Sequence, residues 1–165
     1  MDDFIFEKFS IIINDKSDNT CSCSIEPPSG EAHKNERRKI YIITTLTKEI
    51  FYIGEAHTKI KTRIQRGYGY FNHFVRFNKT RGGYKGYKWL DKIENPERIL
   101  IVYVASFNNE YDDNRKKIEA IEGELVHLVR YKLNYWPKFQ NEIHFSNIKG
   151  AKEIADKIYS KIYEQ

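Results

Sequence analysis

Apolar residues in this chain fall into separate runs, and the spacing within each run predicts a particular element. Residues 4–13 include the run FSIII, which predicts an edge strand. Residues 14–37 follow with almost no periodicity and with many Gly, Pro, Ser, Asn and Asp residues, a composition typical of a long flexible loop. The first part of the chain is therefore predicted to be an extension of the main fold.

Two runs rich in β-branched and aromatic residues come next, and their spacing predicts an antiparallel hairpin. RKIYIITT and EIFYIG are separated by a short polar stretch at residues 46–48. After Gly54, the residues Ala56, Ile60 and Ile64 recur at intervals of four, which predicts a short helix with one buried side. A Gly- and Tyr-rich irregular stretch is expected after that helix.

The apolar pattern in the second half of the chain predicts one strand followed by two helices. RILIVYVASF is a continuous apolar run, which is typical of a buried central strand. Asp112 or Asp113 is placed to cap a long helix that ends near Leu133. Asn147 is placed to cap a final helix near residues 148–163. The pattern contains no internal repeat.

Length and composition are those of a single domain. The chain has 165 residues, of which 40% are hydrophobic and 31% charged, and cores of ordinary size are built from roughly 100 to 200 residues. We expect an N-terminal extension at residues 1–37, the main domain at 38–146, and a C-terminal helix at 147–165 packed on that domain. The sequence has neither a long apolar run nor a signal pattern, so we expect a cytoplasmic monomer or homodimer.

The two cysteines do not predict a metal or disulfide framework. Cys21 and Cys23 stand alone in C-S-C, with no second pair to complete a four-ligand zinc site. We expect free thiols in a flexible segment.

Basic charge is concentrated in one segment. The net charge is +5, and no Asp or Glu occurs from Ala56 to Leu90. Aromatic residues alternate with the cations there, and cations for phosphates beside flat rings predict a nucleic-acid surface. The predicted contacts are Lys59, Lys61, Arg66, Arg76, Lys79, Arg81, Lys85 and Lys88. The alternative is that Phe71, Phe74 and Trp89 are core residues and the cations are simply solvated.

Four polar residues far apart in the sequence are candidates for one site. Tyr41 and Tyr52 lie on the two strands of the predicted hairpin, and the following helix can bring Arg63 toward them. On the long helix, Glu122 falls within the apolar side. A carboxylate placed there needs a divalent ion or a cation such as Arg63, and a simple buried ion pair is the competing interpretation.

These residues stand in motifs that resemble the GIY-YIG endonuclease superfamily. KIY at 39–41 and YIG at 52–54 resemble the two-strand signature, GEAHTKIKTRI resembles the stretch that ends at the family arginine, and IEGELV resembles the motif on the metal-site helix. The resemblance covers residues 39–141. It implies a small mixed α/β domain in which a mainly antiparallel three-stranded sheet is flanked by helices.

The resemblance also implies catalytic roles. Tyr41 would activate the attacking water, Tyr52 would help to position water and phosphate, and Arg63 would bind the scissile phosphate. Glu122 would hold one Mg²⁺ or Mn²⁺ ion, and Asn141 would support the site through hydrogen bonds. A free phenol has a pKa near 10, so a tyrosine that activates water needs cations nearby.

The sequence departs from the family pattern at three places. Lys39 stands where the first glycine of GIY is expected, and Arg63 lies nine residues after Gly54 where eight is commoner. No histidine stands four residues after Arg63, where Gly67 is found. Tyr68 is the candidate for the missing assisting group, with His57 and His73 as alternatives.

The expected function is that of a metal-dependent endonuclease that hydrolyses DNA phosphodiester bonds. Two alternatives remain open. One is a nucleic-acid-binding or regulatory module of the same fold with weak or no catalysis, which the departures from the motif would allow. The other is a phosphodiesterase that acts on RNA, because aromatic stacking and phosphate contacts serve single strands equally well.

Overall fold

The computed structural model describes residues 3–81, 88–91, 98–140 and 142–164, and the side chains of Lys88 and Asp91 are outside that description. Its strands are β1 Phe4–Asp15, β2 Cys21–Glu26, β3 Lys39–Thr44, β4 Ile50–Ala56 and β5 Ile99–Phe107. Its helices are α1 Glu31–Lys34, α2 Ile60–Phe77, α3 Lys88–Asp91, α4 Arg115–Leu133 and α5 Ala151–Glu164. Among these helices, none combines the length and apolarity needed to cross a bilayer.

The strands form one antiparallel sheet in the order β2-β1-β5-β3-β4. The predicted hairpin is confirmed, since β3 pairs with β4 and Tyr41 lies directly opposite Gly54. The predicted central strand is also confirmed, because β5 lies between β1 and β3. The protein is a mixed α+β fold.

The sheet has five strands rather than the predicted three. β1 is not an edge strand, because it pairs with β5 along one side and with β2 along the other. Residues 14–37 are not one long loop, since they contain β2 and α1. β2 reads CSCSIE, and its small polar residues conceal an alternation in which only Cys21 and Ile25 are buried. The strand is stabilised by its partner rather than by its own propensity.

α2 is longer than predicted and continues to Phe77 through the Gly- and Tyr-rich stretch. Its buried residues are Ile60, Ile64, Gly67 and Phe71, which share one side of the helix. Gly67 is among them, so the buried side of the helix includes a residue without a side chain. Tertiary packing therefore overrides the low helix propensity of glycine.

Helices cover both faces of the sheet. One face carries Ile40, Ile42 and Tyr103, which pack with the apolar sides of α4 and α5. The other face carries Tyr41 and Ile43, which pack in one cluster with residues of α2 and α3. Alternate residues of β3 thus enter two separate cores, as the two-residue period of a strand requires.

Side chains and loop backbone cover the two outer edges of the sheet. At β4, Phe139 donates its backbone N–H to the Phe51 carbonyl at 2.9 Å, and Gln140 Oε1 accepts from Ile53 N–H at 2.9 Å. At β2, the amide of Asn72 accepts from Cys21 N–H at 2.8 Å and donates to Cys21 O at 2.7 Å. Satisfied edges disfavour pairing with another chain, and Asn72 also fastens α2 to β2.

The cap of α4 differs from the prediction. Asn114, rather than Asp112 or Asp113, accepts a hydrogen bond from Lys117 N–H at 3.1 Å. Asp112 instead accepts from Arg38 N–H at 3.2 Å, so it joins the start of α4 to the chain just before β3. The helix that carries Glu122 is therefore tied to the strand that carries Tyr41.

Candidate active site

Tyr41 and Tyr52 lie on the same side of the β3–β4 hairpin. Tyr41 pairs with Gly54, so Tyr52 is its diagonal neighbour, and the two ring centroids are 5.8 Å apart. A Cβ atom at Gly54 would lie 2.8 Å from the Tyr41 hydroxyl oxygen and 2.9 Å from Tyr52 Cε1. The glycine of YIG therefore provides the space that both rings occupy.

Arg63 comes to this tyrosine pair from the first turn of α2. Its Nε donates a hydrogen bond to the Tyr41 hydroxyl at 3.0 Å, and its Cζ lies 5.7 Å from the centre of the Tyr41 ring. A cation that a phenol needs in order to act on water is therefore in direct contact with Tyr41. The extra residue between Gly54 and Arg63 does not keep the guanidinium away from the hairpin.

Glu122 reaches the same place from α4. A cavity of about 410 Å³ is lined by Tyr52, Glu55, Ala56, His57, Thr58, Arg63, Arg66, Arg115 and Glu122. β4, α2 and α4 thus each contribute side chains to one phosphate-sized space. Tyr41 contacts this group through Arg63.

The carboxyl group of Glu122 is held in an unfavourable environment for negative charge. Burial raises its pKa to about 8, and the charges of Glu55 and Glu119 act in the same direction, while Arg63 and Arg115 oppose them. No side chain in the described ranges makes an ion pair or hydrogen bond with it. The simple buried ion pair considered from the sequence is therefore not formed by Glu122 and Arg63 within hydrogen-bonding distance.

The donors around the cavity suit a hard divalent ion that keeps most of its water. Within the described residues, no group of three or more His, Cys, Asp or Glu side chains is arranged to hold a metal. Glu122 offers a carboxylate, and the buried hydroxyl of Thr58 has no hydrogen-bond partner in the part of the chain that the structure describes. Mg²⁺ is commonly bound through one or two carboxylates together with water and substrate phosphate oxygens, so these residues fit such an ion.

Two charged cavity residues, Glu55 and Arg115, were not predicted from the sequence. Glu55 makes ion pairs with Arg38 at 3.2 Å and with Arg115 at 3.5 Å, and Arg115 also pairs with Glu119 at 2.9 Å. Helical spacing was a usable signal for Arg115, since it precedes Glu122 by two turns on the same side of α4. Glu55 lies in β4 directly after Gly54, so its nearness to that glycine was the only signal.

The structure separates the three candidates for the assisting group. His57 lines the cavity, with its Nε2 3.9 Å from Asp112 Oδ1. Tyr68 lies on the side of α2 that faces the cysteines of β2, and burial raises the pKa of its phenol. His73 contacts the Lys79 carbonyl near the end of α2. Of the three, His57 is the side chain beside Arg63 and Glu122.

Asn141 and Lys85 lie outside the described residues, as does the side chain of Lys88. No position is assigned to these three predicted contacts. The preceding residue, Gln140, does bind the edge of β4 through the Ile53 N–H.

The predicted basic surface is divided among different sides of α2. Lys59, Lys61, Arg66, Arg76, Lys79 and Arg81 are all exposed. Arg66 lines the candidate active site, whereas Lys61 lines a separate cavity with His33, and Arg76 pairs with Asp18 at 3.1 Å. Among the aromatic residues, Phe71 and Trp89 are buried in the core, and Phe74 and Phe77 are exposed.

One departure from the family pattern, Lys39, has a structural consequence of its own. Lys39 is fully buried and donates to Asn35 O, Asn35 Oδ1 and Arg37 O at 2.7 to 3.0 Å, and burial lowers its pKa to about 8. The lysine therefore anchors the segment before β3.

Cys21 and Cys23 are free thiols, as predicted, but they belong to β2 rather than to a flexible segment.

Comparison with known proteins gives no match to a protein-family model, to a curated protein or to a solved structure. The side chains of the cavity and their geometry are therefore the basis for assigning it a function.

Proposed function

We propose that this protein is a metal-dependent endonuclease that hydrolyses DNA phosphodiester bonds with a GIY-YIG-type site. The observation that carries the proposal is that Tyr52, Arg63 and Glu122 line one cavity and that Tyr41 contacts Arg63 beside it, although these four residues are up to 81 positions apart in sequence. A phenol pair, a guanidinium and a carboxylate at one place match the needs of phosphodiester hydrolysis.

Arg63 binds the scissile phosphate in this proposal. Its Nε is engaged by Tyr41, and the rest of the planar guanidinium borders the cavity. A permanent cation with several N–H donors stabilises the charge that develops on the nonbridging oxygens. Arg66 and Arg115 line the same cavity and supply further positive charge for neighbouring phosphates.

Tyr41 and Tyr52 orient the attacking water. The Tyr41 hydroxyl is fixed by Arg63, so its oxygen is positioned beside the cation that holds the phosphate. His57 lines the same cavity, and imidazole is the side chain that most often accepts or donates a proton in catalysis. In this proposal the water gives its proton to the His57 imidazole, directly or through the Tyr41 hydroxyl, and its oxygen attacks the phosphate.

Glu122 holds Mg²⁺ or Mn²⁺ in the proposed complex with substrate. When bound, such an ion neutralises phosphate charge and supports the leaving oxygen. Ionised Glu122 is unfavourable without a nearby cation, so a bound ion would stabilise the charged carboxylate, and substrate phosphate would strengthen the binding of that ion.

The test is incubation of plasmid DNA and a short RNA with Mg²⁺ or Mn²⁺, with and without chelator. Glu122→Ala is compared with Glu124→Ala, because Glu124 is on the same helix but lines the groove between α4 and α5. We expect metal-dependent DNA cutting that Glu122→Ala abolishes and Glu124→Ala largely retains.

Other outcomes identify the alternatives. Tight DNA binding without cutting at any metal concentration would assign the fold to a binding module. Cutting of RNA but not of DNA would assign the RNA-directed activity. Loss of cutting in Glu124→Ala alone would show that the wrong carboxylate of IEGEL has been chosen.

A further inference from the structure

A row of cations and aromatic rings runs along one side of α2. At 100° per residue, its members fall within an arc about 100° wide that excludes the buried residues Ile60, Ile64 and Phe71. We call this row the α2 stripe, and it consists of Arg63, Arg66, Tyr70, His73, Phe74 and Phe77.

The α2 stripe begins at the candidate active site. Arg63 and Arg66 both line the cavity that contains Glu122. Phe77 lies 14 residues beyond Arg63, or roughly 21 Å along the helix at 1.5 Å per residue. A strand that leaves the cavity in this direction would therefore meet the whole stripe.

The far end of the α2 stripe exposes large apolar rings. Phe77 is 61% exposed and Phe74 39% exposed, and the His73 and Phe77 rings are 4.8 Å apart. Exposed aromatic rings that lie together are a common mark of a binding surface. Their planar faces are suited to stacking against planar rings of a partner.

The charge around the stripe indicates an anionic partner. The sequence has no acidic residue between Ala56 and Leu90. Asp18 does approach α2, but it pairs with Arg76, which lies on a different side of the helix from Arg63 and Phe77. Cations near the cavity and rings farther along are the two elements that bind single-stranded nucleic acid.

We propose that the α2 stripe binds an unpaired stretch of the nucleic-acid strand next to the cleaved bond. This inference rests on the proposed nuclease function and specifies the substrate further. Bases stack on exposed rings only where they are not enclosed in a duplex, whereas a continuous duplex offers mainly phosphates to this side of the helix. The preferred substrate is therefore a duplex with a single-stranded tail or branch, engaged over on the order of four nucleotides.

The experiment measures binding by fluorescence anisotropy in the presence of chelator, so that cutting does not interfere. The probes are a blunt DNA duplex and the same duplex with a 5′ or a 3′ tail. We expect the wild type to bind one tailed probe about 10-fold more tightly than the blunt duplex. Phe77→Ala should abolish that preference and leave blunt-duplex affinity unchanged, and Phe77→Tyr should retain it.

Tyr131→Ala is the matched control, because Tyr131 is 83% exposed but lies on α4. We expect this variant to bind both probes as the wild type does. An equal loss of affinity for tailed and blunt probes in Phe77→Ala would overturn the inference, as would no loss at all. A dimer that dissociates in Phe77→Ala would also overturn it, because the ring would then belong to an interface between two copies.

The two proposals fail in different ways. Absence of binding to every nucleic-acid probe would count against the nuclease function itself. Metal-dependent cutting that is equally fast on blunt and tailed DNA would leave the nuclease function intact and refute only the role of the α2 stripe.

Discussion

Arg63 donates a hydrogen bond from its Nε to the hydroxyl of Tyr41 at 3.0 Å, which joins the second helix to the first strand of the hairpin. Only an arginine can do this while directing further N–H groups into the cavity, because a lysine ammonium is a single point of charge. In the proposed function, this pair would combine the phosphate ligand and the water-orienting group in one contact.

Arg63→Lys is expected to lower cutting by about 100-fold or more, as removal of one transition-state donor does in other enzymes. Tyr41→Phe should have an effect of similar size, because it keeps the ring but removes the hydroxyl. The measurement is the single-turnover rate on plasmid DNA. Tyr111→Phe is the control, since the Tyr111 hydroxyl bonds Asp3 outside the site, and an equal loss of rate there would contradict a specific role for Tyr41.

Gly54→Ala is expected to disturb both tyrosines. The added methyl group would lie 2.8 Å from the Tyr41 hydroxyl oxygen and 2.9 Å from Tyr52 Cε1. Overpacking of this kind costs about 1 to 3 kcal/mol of unfolding free energy, and displacement of Tyr41 should also slow cutting by more than about 10-fold. Thermal unfolding and the cutting rate provide the two measurements.

Gly69→Ala is the matched control for Gly54→Ala. Apart from its chain neighbours and the backbone of its own helix, no described residue lies within 4 Å of the position that its Cβ would occupy, and Gly69 is inside α2. Alanine is favoured over glycine in a helix by about 0.5 to 1 kcal/mol. We therefore expect a higher Tm with unchanged activity, and similar destabilisation by both substitutions would refute the steric explanation.

Glu122→Gln should change how stability depends on pH. The pKa of Glu122 is raised from its usual 4.5 to about 8. Below pH 4.5 both folded and unfolded chains hold the proton, so this raised pKa causes no penalty there. As pH rises toward 8, the unfolded chain loses the proton first, and folding becomes less favourable. Glutamine stays neutral and removes that penalty.

The expected gain for Glu122→Gln above about pH 8 is on the order of 2 kcal/mol after allowance for solvent screening, or roughly 4 to 8 °C in Tm. The measurement is the Tm of Glu122→Gln and of the wild type in chelator at several pH values. A difference in Tm between the two proteins that stays constant across pH would disprove the prediction. Adding Mn²⁺ near pH 8 should raise the Tm of the wild type but not of the variant.

Arg66→Ala is expected to weaken DNA binding and to make it less dependent on salt. Arg66 lines the cavity, whereas Arg76 on the same helix is paired with Asp18. Loss of one phosphate contact lowers the slope of log affinity against log salt by about 1. We expect this change for Arg66→Ala and little change for Arg76→Ala, and the reverse order would place the DNA on the other side of α2.

The sequence was sufficient for the parts of the fold whose signal is local. The β3–β4 hairpin, the central strand β5 and the long helix α4 all have strong apolar patterns. The pairing of β1 with β5 joins residues as distant as Phe4 and Phe107, and no local pattern encodes such a contact. β2 was missed for a related reason, because its Cys and Ser residues become a strand only beside β1.

The candidate site could be predicted in part for the same reasons. Tyr41, Tyr52, Arg63 and Glu122 stand in recognisable motifs, and the structure brings them together. His57 could not be ranked above Tyr68, because the choice depends on which way α2 turns after the hairpin. Helical rotation places Tyr68 toward β2 and leaves His57 at the cavity.

The position of β1 limits how far this chain can be shortened. A chain that starts at residue 38 would keep every candidate catalytic residue but would lose both strands that lie beyond β5. The backbone of β5 from Ile99 to Phe107 would then present an unpaired row of N–H and C=O groups next to exposed apolar side chains. Such a fragment is expected to aggregate, so the opening segment is a structural requirement of the unit that carries the candidate site.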